Sequence, residues 1–148
     1  MYDENAYTDT YNQVNRQQCV FERSVLRRCV SCEYAHKHLI AEREAMGCDN
    51  AEAHAQCDAF KQQMKQSATF VLKLTAPDAP LPHVKELKLQ CGGFLGLARA
   101  LAGPQVETVD NANGVLSAAL KQYGSLDGLP YPEILQEIRA YEARPRRR

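Results

Sequence analysis

Residues 21–48 read FERSVLRRCVSCEYAHKHLIAEREAMGC, and the period assigned to this stretch decides the fold class. Phe21, Val25, Cys29, Cys32, His36 and Leu39 recur at spacings of four, four, three, four and three. That is the repeat of one face of an α-helix. Arg23, Arg27, Lys37 and Glu44 fall on the opposite face. The pattern predicts a first helix from about Tyr11 to Met46, with Gly47 closing it as a C-cap residue would.

Working outward, Asp49 or Asn50 can cap a second helix. Ala53, Cys57, Phe60, Met64, Ser67 and Val71 carry the three-four repeat to about Leu74. Gly47-Cys48-Asp49 then reads as a tight turn, and residues 10–76 as an αα-hairpin. Pro77, Pro80 and Pro82 stop the second helix, because each removes an N–H and restricts the residue before it. Residues 77–90 form the connection, within which His83 to Gln90 is read as helical. Cys91-Gly92-Gly93 is expected to break or bend the chain. Phe94 to Leu101, Val106 to Gln122 and Tyr131 to Ala143 are shorter helical segments, the last with Pro132 in its first turn. The expected fold is therefore all-α: one domain, 1–148, with an N-terminal αα-hairpin and three or four shorter helices, residues 91–148, packed on it.

Five of the six cysteines, Cys19, Cys29, Cys32, Cys48 and Cys57, lie within or beside that hairpin. A chain of 148 residues buries enough surface to fold without staples, so the thiols are not required by size. Two closely spaced ligand pairs, Cys29 with Cys32 and His54 with Cys57, give a C-x2-C-x21-H-x2-C arrangement that resembles a zinc site in kind. An all-sulfur set of Cys29, Cys32, Cys48 and Cys57, with Cys19 as the alternate ligand, is the complement of an iron–sulfur cluster or of zinc.

Geometry sets a condition on that set. In an unbroken first helix Cys32 lies about 22 Å before the turn, while Cys57 lies only about 12–15 Å beyond it. A four-cysteine site therefore requires a break near Cys29 to Cys32; without one, Cys29, Cys32 and His36 are positioned to meet Cys91. Three other readings of these residues stand beside the metal. Cysteine packs like a small apolar side chain, Cys29 and Cys32 could act as a redox dithiol, and Cys91 could be a thiol at a helix N-terminus. Glu33 and His36 spell one ExxH half of a di-iron motif, but a second is missing.

Lys plus Arg equals Asp plus Glu at 18 each, so no overall field favours nucleic acid or an anionic membrane. The Arg144 to Arg148 tail is a short local cation, too small to imply nucleic-acid binding. No apolar run approaches the roughly 18 residues of a membrane span, and no signal-peptide pattern opens the chain; a soluble, cytoplasmic protein is expected. P-loop, GxSxG and HExxH signatures are lacking. The sequence thus points to a small metal-binding protein with a structural, sensing or electron-transfer role and no substrate turnover. The alternative is a metal-free helical module with buried cysteines that binds a partner protein.

Overall fold

The computed structural model describes residues 17–75 and 79–142. The expected polar N-terminus, Pro77 and the Arg144 to Arg148 tail lie outside them. The fold is mixed rather than all-α, and the difference lies in residues 21–48. They form a short helix α1 (Glu22–Leu26), then an antiparallel hairpin of β1 (Ala35–Ile40) and β2 (Arg43–Cys48). The αα-hairpin does not form.

Three local features override the helical period. Arg28 takes a left-handed conformation, φ 68°, which ends α1 one turn before Cys32. Residues 29–31 then leave the helix path and pair with another segment: Ser31 N–H donates to Val109 O at 2.7 Å, and Val109 N–H donates to Cys29 O at 3.1 Å. At the hairpin tip Ala41 and Glu42 both adopt positive φ, 49° and 70°, as a two-residue hairpin turn requires. Neither residue favours that conformation, which is why the sequence carries no turn signal there. What the turn costs locally is offset by burial of Ile40, Ala45 and Met46 and by a Lys37–Glu44 ion pair at 2.7 Å between the two strands. The exposed pair itself contributes little.

The second predicted helix is present as α2 (Ala51–Ser67), with the Asn50 side chain accepting the Ala53 N–H at 2.9 Å. It ends earlier than Leu74; residues 68–73 continue as turns, with Lys73 at φ 56°. Beyond the connection, α3 (His83–Leu87) runs through a π-helical turn (Lys88–Gly92) into α4 (Gly93–Ala102). The expected break at Cys91-Gly92-Gly93 is therefore absent: Gly92 and Gly93 keep helical dihedrals. The glycines serve close packing instead. A Cβ on Gly92 would stand 2.7 Å from Ile138 Cα, and one on Gly96 would stand 2.8 Å from Ile134 Cα. These residues belong to the last helix, α6 (Tyr131–Ala140), which follows α5 (Ala112–Tyr123). Small residues four apart thus let α4 lie against the α6 backbone.

One apolar cluster runs from Phe21 to Ile138. At its centre the rings of Phe21, Phe60 and Phe94 meet with centroids 4.5–6.1 Å apart, within the range of favourable aromatic pairs. This trio fixes α1 and α2 on α4. It thereby sets where the cysteine-bearing segments stand.

Candidate metal centre

Four segments deliver the thiols. Residues 17–19 run antiparallel to the end of β2, with Cys19 N–H donating to Met46 O at 2.9 Å and Cys48 N–H donating to Gln17 O at 2.8 Å. Cys19 and Cys48 are thereby held on adjoining strands. Cys32 occupies the loop that enters β1, where Ala35 pairs with Cys48; its carbonyl accepts the Ala35 N–H at 3.1 Å. Cys57 sits on the second turn of α2, whose start is anchored by the Asn50 cap. The break near Cys29 to Cys32 that a shared site required is the one Arg28 makes.

Cys19, Cys32, Cys48 and Cys57 line a small cavity of about 20 Å³, room for a single ion as the walls stand, whereas a cluster requires them to move apart. Its remaining wall is mostly apolar, with Phe21, Val25, Ala53 and Ala112 among the lining residues. All four cysteines are free and partly buried. Burial pushes the Cys57 thiol up to about 12, and the neighbouring Cys32, Cys19 and Cys48 add to the shift. Burial likewise raises Cys19 to about 12, against a lowering hydrogen bond from the Phe21 backbone, with Cys32 and Cys48 raising it further. Burial and repulsion of this kind oppose ionisation of Cys19 and Cys57 in the absence of a cation. A metal ion would reverse that balance, since coordination deprotonates thiols outright.

The donor set fits such a group by type: four soft thiols around one desolvated space. Among the described residues no three His, Cys, Asp or Glu side chains are already drawn together closely enough to hold an ion. Coordination at about 2.3 Å therefore requires the thiols to turn inward. For Cys48 this gives up only a weak bond, the one its Sγ donates to Asn50 O at 3.3 Å. His54 also lines the cavity, but its Nε2 lies 2.9 Å from the Gln18 carbonyl. A carbonyl only accepts, so this nitrogen carries the proton and is not a ligand as it stands.

The other expected ligand, Cys29, is placed elsewhere. Its sulfur is bonded to that of Cys91, with Cα atoms 6.1 Å apart. Cys91 is fully buried in the π-helical turn, so the bridge ties the loop before Cys32 to the helical half of the chain. It also means that Cys29 is paired with Cys91, not with Cys32 as a CxxC dithiol would be. His36 stands exposed on β1 beside His38, ring centroids 4.8 Å apart, away from the cavity. Glu33 accepts a hydrogen bond from Asn111 Nδ2 at 2.6 Å. Among the described residues no helix is long and apolar enough to cross a membrane.

Comparison of the chain with models of known protein families, with curated proteins and with solved structures returns no match. The functional reading therefore rests on the cavity and its thiols.

Proposed function

We propose that this protein is a small metal-binding protein whose centre is held by Cys19, Cys32, Cys48 and Cys57, with zinc or an iron–sulfur cluster as the occupant. The observation that carries the reading is the convergence of four free thiols, from four separate segments, on one cavity. Four thiolates are the complement of both occupants. With all four positions taken by protein, such a centre leaves none open for a substrate, which suits a structural, sensing or electron-transfer role. The metal would supply cross-linking of the strands to α2 and, in the cluster case, a reversible one-electron couple. The protein's own part is to hold the thiols in a dry space and to shield the sulfurs with Phe21 and Val25.

Anaerobic purification, followed by an absorbance spectrum and iron and zinc analysis on one sample, tests the reading. Stoichiometric zinc in colourless protein, or stoichiometric iron with broad visible absorption, is the expected result, and Cys48→Ser should abolish either. Protein that is free of both metals and does not take them up on reconstitution leaves the metal-free interaction module instead.

A further inference from the structure

Cations stand close in sequence to two of the thiols, on α2 with Cys57 and on α1 just after Cys19. Cys57, Lys61 and Lys65 are spaced i, i+4 and i+8 on α2 and so share one face, while Arg23 follows Cys19 by four residues on α1. Arg23, Lys61 and Lys65 line a groove of about 290 Å³. Gln90 and Glu86, both buried, are also part of its lining.

The charges of this groove do not close among themselves. Lys61 is paired with Glu86. The Gln90 side chain donates to the same Glu86 oxygen at 2.8 Å, while its own oxygen accepts the Ser24 N–H at 3.0 Å. Burial acts to raise the Glu86 carboxyl, but these two hydrogen bonds and the Lys61 and Arg23 charges outweigh it and hold Glu86 below the usual carboxylate range. Glu86 is therefore an ionised, fixed counter-charge whose direct ion pair is with Lys61, and whose charge Arg23 feels at longer range. Arg23 and Lys65 meet partners that carry no negative charge: the Arg23 guanidinium lies 3.1 Å from His83 Nδ1, and Lys65 Nζ donates to the Ala79 carbonyl at 3.0 Å. The remaining acid of the lining, Glu22, is committed to the hairpin, accepting the Met46 N–H at 2.8 Å and the Gln18 amide at 3.1 Å. Two cations with no carboxylate in direct contact among the described residues, an uncharged amide beside them and walls of small-molecule size match one ligand class.

We infer that this groove is a binding site for a small polyanion, a phosphate- or carboxylate-bearing molecule gripped by Arg23 and Lys65. Arg23 offers the forked donors that pair with two anionic oxygens, and Lys65 a compact charge. A second recess, lined by Cys19 and His54, shares Lys61, Gln18 and Val20 with the groove. A bound anion thus lies alongside the thiol centre. The site stands on its own residues and does not depend on the metal.

Isothermal titration of the full chain with pyrophosphate and with citrate at low ionic strength, in metal-loaded and metal-free samples, tests this. One saturable site is expected; the tighter of the two probes assigns phosphate or carboxylate, and glycerol should not bind. The double variant Arg23→Gln/Lys65→Gln should weaken binding by about tenfold or more, the scale of two lost charge-assisted contacts. The single variant Gln62→Glu, which sets an acid on the exposed wall of the groove, should weaken it in the same direction and guards against misfolding of the double variant. Lys121→Gln, outside the groove, should leave binding unchanged. Absence of saturable binding for both anions, or binding that persists in the Arg23/Lys65 and Gln62 variants, overturns the assignment.

Discussion

Residues 83–140 bury Leu87, Leu89, Phe94, Leu97, Leu116, Ile134 and Ile138 almost completely, whereas residues 17–57 bury few large apolar side chains, chiefly Phe21, Val30, Ile40 and Met46. The helical half holds its shape by close packing of α4 on α6. The cysteine-bearing half holds its shape by strand pairing, by the clasp of residues 29–31 on Val109 and by sulfur chemistry. The difference teaches where each kind of stabilisation is needed. A short hairpin cannot cover its own face and is marginal alone, so a covalent cross-link such as Cys29–Cys91 matters most where the apolar core is thinnest.

Metal removal should separate the two regions most sharply. Structural zinc sites contribute on the order of 10 kcal/mol to the folding of the segments they join. Hydrogen exchange after chelation should therefore show lost protection across residues 17–57 and retained protection across 83–140. Uniform loss in both halves would break the comparison. Alkaline titration of the metal-free protein sharpens it. Cys19 and Cys57 rise from 9.0 to about 12 on folding, so above pH 9 the unfolded chain releases protons that the folded chain keeps. Stability is then at its full value below pH 9, where both states are protonated, and falls as pH climbs from 9 towards 12. Urea denaturation across that range should show the fall in the metal-free form and lose it in the loaded one.

The bridge between the halves comes next in size. Cys29 and Cys91 are 62 residues apart, and a loop of that length corresponds to about 4 kcal/mol of chain entropy removed from the unfolded state. The Cys29→Ala/Cys91→Ala variant should lose stability on that scale in denaturant while still binding metal. Leu97→Ala, inside the helical half, should cost about 3 kcal/mol and lower the thermal midpoint of the whole molecule, since the Phe21–Phe60–Phe94 cluster couples the regions. The smallest effect expected is that of Asn50→Ala, about 1 kcal/mol for a lost helix cap, read as faster exchange in the first turn of α2 beside Cys57.

The same division governs what was legible in the sequence. The start of α2 at the Asn50 cap, the stop of α5 at Gly124 (φ 87°) and the Pro132 start of α6 follow from local chemistry, and the apolar three-four repeat places these helices. In residues 21–48 the repeat misleads. Phe21, Val25 and Cys29 do point towards the core, but from a short helix and the loop after it, and the hairpin turn uses Ala41-Glu42, residues with no local preference for it. Strand pairing of Gln17 to Cys19 with β2 is a non-local contact that no window of sequence displays. At the candidate site, the cysteines named from sequence divide by a tertiary fact: Cys29 meets Cys91, so Cys19, the alternate, completes the set of four. The requirement for a break before Cys32 was readable from helix rise alone. Its position at Arg28 was not, because arginine does not favour the left-handed conformation it takes there.

The central claim, that Cys19, Cys32, Cys48 and Cys57 act as one metal centre, is tested most directly by alkylating the protein during stepwise metal addition and mapping the modified cysteines by mass spectrometry. The four should become protected together, in proportion to bound metal, while Cys29 and Cys91 stay unmodified until a reductant is added. Protection of only some of the four, or of Cys29 in place of one of them, would contradict it.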